Sequence, residues 1–310
     1  MSRSANLDPE LDVTVIIISY NTREMTLACL SSLVAETRRV RYEVIVVDNA
    51  SADGSAEAIK RQFPQFVHLP QSKNLGFAAA NNLAAQCARG SFLLLLNPDT
   101  VVLRGAIDEI VDFALRRPEA GIWGGRTLFG NGQLNPTSCW ARVTLWSLFC
   151  RNLGISKVFP NLAWLNPESY GGWKRDTERE VDIVTGCFFL IRREFWNALG
   201  GFNLEFFMYG EEADLCLRAK VLGARPAITP KATIIHYGGA TDENHSRKNK
   251  RNLAAKALLI RKHFSPAVVP VALTLLAVRP WVKRVFTGGP RREVWKEVWS
   301  DRRTWLAGHF

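Results

Sequence analysis

Three short aliphatic runs constrain this chain more than any other feature: Val13 to Ser19 (VTVIIIS), Glu43 to Val47 (EVIVV) and Phe92 to Leu96 (FLLLL). None alternates apolar with polar residues, so each reads as a strand covered on both faces, as in a parallel sheet. Helical spacing lies between them. Leu27, Leu30, Leu33 and Val34 predict a helix to about Glu36, opened by Asn21-Thr-Arg-Glu24 as a capping box with Asn21 as cap. A second helix is expected to end near Phe63, Val67 and His68 begin a short strand, and Ala78 to Ala88 predicts a third helix. Strands alternating with helices require βαβ crossovers, so the fold class is α/β, with a Rossmann-like, mostly parallel sheet flanked by helices.

In such a sheet ligands bind beyond the carboxyl ends of the strands. Three strands here end in polar residues: Ser19-Tyr20-Asn21, Asp48-Asn49 and Asn97-Pro98-Asp99. Singly, Asp48 can cap the next helix and Asn-Pro-Asp can be a turn. Together they put carboxylates and amides along one sheet edge, which favours a nucleotide site. Neither G-x-G-x-x-G nor G-x-x-x-x-G-K-[ST] occurs, which argues against an NAD-dependent oxidoreductase and a P-loop. A diphosphate in this cleft needs another counter-charge, and Mg²⁺ or Mn²⁺ on Asp99 is the natural one.

After Ile122 the pattern loses its period. Trp140, Trp146, Trp164, Tyr170 and Trp173 populate a Gly- and Asn-rich stretch, either as core or as stacking surfaces for a sugar or a lipid-linked acceptor. Order returns with VDIVTGCFFLIRR from Val181, a strand pair or strand plus turn, then a helix over Gly210 to Leu222 and a strand over Ala232 to His236. On that helix Leu215, Ala219 and Leu222 form the expected buried stripe, with Glu211 and Glu212 on either side of it. These glutamates are either a solvated helix start or a general base that the helix N-terminus keeps ionised. Asp214 and Arg218 form an i, i+4 pair. His236 is either a hydrogen-bonded structural residue or a ligand-facing one, and Gly238 and Gly239 permit close backbone approach.

Seven segments carry a resemblance: VTVIIISYN at 13–21, VIVVDNASADGS at 44–55, NLGFAAANN at 74–82, LLLNPD at 94–99, VTGCFFLIRRE at 184–194, GGFNLEFFMYGEEADLCLR at 200–218 and IIHYGG at 234–239. In this order the chain resembles glycosyltransferase family 2, with a GT-A fold, and its bacterial rhamnosyltransferase-like branch. The resemblance implies that Ser19, Tyr20 and Asn21 line the nucleotide pocket, that Asp48 meets base or ribose, and that Asn74, Gly76 and Asn81 complete the sugar-nucleotide side. Asn97, Gly186 and Trp173 join the substrate-binding set. Asp99 matches the last position of the family's metal-binding D-x-D, His236 a histidine near diphosphate and metal, and Glu212 the catalytic base, with Glu211 competing for that role. Two departures stand out: Asn97 replaces the first carboxylate of D-x-D, and the base is Glu where Asp is usual. The implied reaction inverts the anomeric carbon, moving a sugar, with rhamnose as the guess, from a dTDP- or UDP-sugar to a saccharide or polyprenyl-linked acceptor in polysaccharide biosynthesis. A non-catalytic nucleotide-sugar-binding protein is the rival reading.

Charge separates the last segment from the rest. Residues 246–310 hold 15 Lys or Arg against three acidic residues, a balance of +12, whereas the first 245 hold 25 against 26. The expected organisation is a polar N-terminal tail over 1–12, a catalytic domain over 13–240 divided at 122, and a basic amphipathic segment over 241–310. Val268 to Val278 is too short an apolar stretch to cross a bilayer. Trp281, Trp295, Trp299 and Trp305 alternate with Arg and Lys there, which suits an anionic membrane surface and not nucleic acid. The alternative is a basic helical hairpin packed on the catalytic domain or on a partner subunit. Six scattered cysteines without a C-x-x-C pair suit a reducing compartment, and residues 1–12 contain no apolar stretch. The expected location is therefore cytoplasmic, peripheral on the inner face of the membrane.

Overall fold

The structure, a computed structural model, describes residues 11–238 and 245–309. The first half runs β1 (Val13–Ser19), α1 (Arg23–Glu36), β2 (Tyr42–Asp48), α2 (Ser55–Gln62), β3 (Val67–Pro70), α3 (Gly76–Cys87), β4 (Phe92–Leu96), β5 (Thr100–Val102), α4 (Ala106–Arg116) and β6 (Ile122–Leu128). It continues with β7 (Leu134–Asn135), β8 (Cys139–Trp140), α5 (Leu145–Asn152), α6 (Ile155–Val158), β9 (Arg179–Glu180), β10 (Ile183–Val184), β11 (Phe188–Arg192) and α7 (Arg193–Leu199). Then come α8 (Glu211–Val221), β12 (Ala227–His236) and four helices: α9 (His245–His263), α10 (Val269–Phe286), α11 (Gly289–Ser300) and α12 (Arg302–Ala307).

Among the described residues the main sheet has the order β3-β2-β1-β4-β11-β6-β12-β5. Strands β3, β2, β1 and β4 are parallel, β11 enters antiparallel to both β4 and β6, and β12 runs parallel to β6. The GT-A class holds: a mixed, mostly parallel sheet flanked by helices. The aliphatic runs explain why. Ile16, Ile45, Leu93 and Leu95 enter one apolar core, and their neighbours Val15, Ile17, Val44, Val46 and Leu94 enter the other. Successive residues of a strand point to opposite faces, so only runs apolar at every position can hold both cores. Each such side chain contributes about 1.5–3 kcal/mol on burial.

Several local expectations need correction. Thr22, not Asn21, precedes α1, and its side chain makes no capping bond. The cap comes instead from a distant loop, where Asp53 Oδ2 accepts the Arg23 N–H at 2.9 Å. Asn21 has φ 52°, which Asn tolerates, and its Oδ1 accepts the Ala52 N–H. Val34 is exposed, because α1 buries Thr26, Cys29, Leu30 and Leu33. Leu222 also leaves its expected stripe: it lies past the end of α8 and is 62% exposed, while Leu215, Cys216 and Ala219 are buried. The aperiodic stretch after Ile122 contains β6, α5 and α6, and β12 begins earlier than expected, at Ala227.

The boundary at residue 240 does not follow the packing. A third apolar core joins Leu148 of α5 to Ala254, Ala257, Ile260, Ala272, Leu276 and Trp305 of the last four helices. Trp305, expected at a lipid surface, is fully buried and donates to the Val298 carbonyl at 2.7 Å. Helix α9 is pinned to α8 by His263, whose Nε2 lies 2.9 Å from Asp214 Oδ1, while Asp214 Oδ2 accepts from Arg218 at 2.8 Å. The last four helices thus pack against α5 and α8 of the preceding domain. No helix among the described residues is long and apolar enough to cross a membrane.

Candidate active site

The ends of β1, β2 and β4, the turn before β11, the start of α8 and one face of α9 enclose a cleft of about 1370 Å³. Tyr20, Asn74, Gly76, Asn97, Asp99, Gly186, Glu211, Glu212 and His236 all line it. Ser19, Asn21, Asp48, Asn81 and Trp173 do not. Ser19 is buried against Thr22 and Thr26, and Asn81 donates to the Phe77 carbonyl beneath the cleft floor. Asp48 accepts the Ser51 N–H through Oδ2, while its buried Oδ1 has no partner among the described residues. Trp173 donates to Thr177 and stacks beneath the Arg179 guanidinium. Trp140 reaches the cleft, whereas Trp146 and Trp164 pair on the outer surface, rings 4.7 Å apart.

Asn49, noted in the sequence only as part of a polar strand end, lines the cleft. Its Nδ2 donates to Asn74 Oδ1 at 2.9 Å and its Oδ1 accepts the Leu75 N–H at 2.8 Å, so the end of β2 fixes the loop that opens α3. Its place directly after Asp48 at a strand end was the available signal. Gly76 in that loop has φ +77°, and a Cβ there would meet the Phe207 carbonyl oxygen at 2.6 Å. No other residue fits without moving the backbone. Gly186 lies beside the catalytic candidates: a Cβ there would meet Phe77 at 3.4 Å and Glu212 at 3.8 Å.

One wall of the cleft carries Asp99 and His236. Their Oδ1 and Nε2 atoms are 3.3 Å apart, and Asp99 Oδ2 accepts the Gly238 N–H at 3.0 Å. Gly239 lies outside the described residues. Burial alone would raise the Asp99 carboxyl, but His236 and the Gly238 N–H more than offset it and hold it below the usual range. Burial disfavours charge on His236 as well, yet the Cys187 sulfur and Asp99 outweigh that and raise it. Asn97 Nδ2 is 3.5 Å from the same His236 nitrogen.

The start of α8 carries the two glutamates. Burial and the neighbouring Glu212 push Glu211 well above the ordinary range. Burial also raises Glu212, but the backbone N–H groups at the start of α8 offset part of that. The expectation that the helix terminus alone keeps these groups ionised is corrected, since burial outweighs it. The two carboxyls are neighbours on α8, and burial raises both. One carboxylate oxygen of each is buried with no partner among the described residues. Arg142, Arg151, Glu168 and Lys256 also line the cleft, none of them singled out by the sequence. They come from α9 and the aperiodic stretch, which only tertiary packing brings here.

The sequence profile for "Glycosyl transferase family 2" matches residues 14–200. An N-acetylglucosaminyl-diphospho-decaprenol L-rhamnosyltransferase of Mycobacterium tuberculosis is 28% identical over 235 residues, 72% of this chain and 75% of that protein. The O-antigen biosynthesis protein RfbC of Myxococcus xanthus is 29% identical over 238 residues, 74% of this chain but only 17% of that much longer protein. The mannosyltransferase PcManGT of Pyrobaculum calidifontis, solved with GDP-Man and Mn2+, superposes with a TM-score of 0.57 at 18% identity, over 98% of this chain and 86% of that one.

Proposed function

The chain belongs to glycosyl transferase family 2, and from that premise we propose that it transfers a sugar with inversion from a dTDP- or UDP-sugar to a polyprenyl-diphosphate-linked saccharide. Rhamnose is the favoured sugar, on the likeness to the mycobacterial rhamnosyltransferase. The observation that carries the reading is that one cleft gathers the Asp99–His236 pair and Glu212 with an unpartnered oxygen. The acceptor hydroxyl gives its proton to Glu212 as its oxygen attacks the anomeric carbon, and the bond to the diphosphate oxygen breaks. General-base help of this kind is worth about 10²–10⁴-fold. Glu211, its neighbour on α8, also has an oxygen without a partner among the described residues and competes for the role.

Mg²⁺ or Mn²⁺ fits the Asp99–His236 pair. Asp99 Oδ1 and His236 Nε2, 3.3 Å apart, offer a carboxylate oxygen and an imidazole nitrogen that one such ion could share. No group of three or more His, Cys, Asp or Glu gathers among the described residues, so the remaining ligands would be diphosphate oxygens and water. When bound, such an ion neutralises charge on the leaving diphosphate. Asp99 and His236 would hold it, and His236 would first release the proton that its pairing with Asp99 favours.

The working location is the inner face of a membrane. Trp281, Val285 and Phe286 of α10 are exposed beside the cations of α10 and α11, a mixture that suits lipid headgroups. A panel of dTDP-, UDP- and GDP-sugars, scored by nucleoside diphosphate release with and without EDTA, tests the reading. Release from none of them in the presence of Mg²⁺ or Mn²⁺ would favour a binding protein.

A further inference from the structure

Between the cleft and the outer surface lies a group of cations that the reaction does not use. Arg151 Nη1 and Lys256 Nζ both bond the same oxygen of Glu168, Oε2, at 2.7 and 3.2 Å. The other oxygen accepts from Ser147 at 3.1 Å, so Glu168 is already shared among three donors. Arg279 adds a third positive charge. The Asn152 side chain bonds the Leu275 carbonyl, which sets the end of α5 against α10 one turn before Arg279. Arg279 is half-buried, feels both Arg151 and Glu168, and has no ion pair of its own among the described residues. Two cations thus share one carboxylate, and a third stands near enough to feel its charge. Uncompensated positive charge in a partly dry site is costly unless an anion completes it. Burial and Arg151 pull Lys256 down to about 8 in spite of Glu168, the behaviour of an ammonium that is short of counter-charge.

The surroundings specify the anion. Arg151, Glu168 and Lys256 line the same cleft as Glu212, on the side formed by α5 and α9 and away from the strand ends that carry Asp99. Outward from Arg151, the same helix and the turn after it expose Phe149, Leu153, Val158, Phe159 and Leu162. A ligand seated here would present a saccharide to Glu212, a doubly charged group to the cations, and an apolar chain to that surface. Building on the lipid-linked acceptor proposed above, we propose that Arg151, Lys256 and Arg279 form the site for the diphosphate of a prenyl-diphosphate acceptor, separate from the donor diphosphate site at Asp99 and His236. Guanidinium groups suit phosphate through paired, charge-assisted hydrogen bonds.

The test uses the full chain and three soluble probes: farnesyl diphosphate, farnesol and dTDP, with binding read by calorimetry. Arg279→Gln is the first variant, because it breaks no ion pair found here, and Arg151→Gln is the second. Arg279→Lys keeps the charge. Wild type is expected to bind farnesyl diphosphate and not farnesol. Each Gln variant should weaken that binding about ten-fold or more, Arg279→Lys should restore most of it, and dTDP affinity should stay within two-fold. Equal weakening of dTDP and farnesyl diphosphate would make the cations part of the donor site and overturn the assignment. So would unchanged farnesyl diphosphate binding in both Gln variants, or no binding by wild type. Nucleoside diphosphate release from the donor panel, measured on the same proteins, separates the outcomes: intact release with no prenyl diphosphate effect sinks this site alone, whereas absent release in wild type sinks the transferase reading.

Discussion

The two sides of the cleft are built in different ways. The side with Asp99 stands on strand ends: aliphatic runs fix the strands, and amides and carboxylates follow them in sequence. The side with Arg151, Glu168 and Lys256 stands on helices far apart in the chain, joined through an apolar core that includes Trp305. The first side is electrically sparse, with one ion-paired carboxylate; the second is rich in cations. Two anionic substrates meeting in one cleft need such a division, because a single shared counter-charge would leave one diphosphate unmatched. Glu212 lies on α8, which is pinned to α9 by Asp214 and His263 and so belongs mechanically to the second side.

The sharpest break in this comparison is at Glu212. Glu212→Gln is expected to lower kcat by about 10²–10⁴-fold with donor affinity unchanged by calorimetry, while Glu211→Gln retains most of its turnover. The reverse result would exchange their roles. Burial raises the Glu212 pKa, and the base acts ionised, so activity should be present above that raised value and fall as pH drops through it. The acid limb of kcat/KM against pH should therefore lie above the ordinary glutamate range, and Gln substitution should abolish it.

Asp99→Ala should cost about 10²–10³-fold, the usual scale for losing a group that meets developing charge. EDTA should mimic it in wild type and add nothing in the variant. Full turnover under either condition removes the metal from the donor side. Asp214→Ala tests whether the two sides are one body. It leaves Arg218 and His263 without their carboxylate, and unfolding in denaturant should show a loss of about 3 kcal/mol. A near-neutral result would mean that the other contacts of α9, Lys256 with Glu168 and Lys262 with Glu205 among them, suffice to hold it. The smallest expected effect is at the membrane. Arg291→Gln and Arg292→Gln, both exposed, should each weaken binding to anionic vesicles about five-fold. Point variants are the proper test, because truncation before Ser246 would remove the α9 wall of the cleft.

The sequence by itself determined the parallel core, since runs such as VTVIIIS and FLLLL can be satisfied only where both faces are covered. It also determined that polar residues stand at the strand ends, and the order of its motifs pointed to the family, because each lies within a few residues of the strand or helix that presents it. It misplaced the cap of α1, since Asp53 reaches Arg23 across a loop and no spacing rule connects them. It named Ser19, Asp48 and Asn81 for the pocket but not Asn49, because which neighbour of a strand end faces the cleft depends on local backbone angles. It read residues 241–310 as a charged appendage, since charge is visible in a list of residues and packing partners are not. Only the tertiary structure decided that α9 forms a wall of the site, that Trp305 is core, and that Arg151 and Lys256 converge on one carboxylate. Contacts between residues more than a hundred positions apart leave no periodicity, and burial, which sets the protonation of Glu211 and Glu212, exists only once the chain has closed around them.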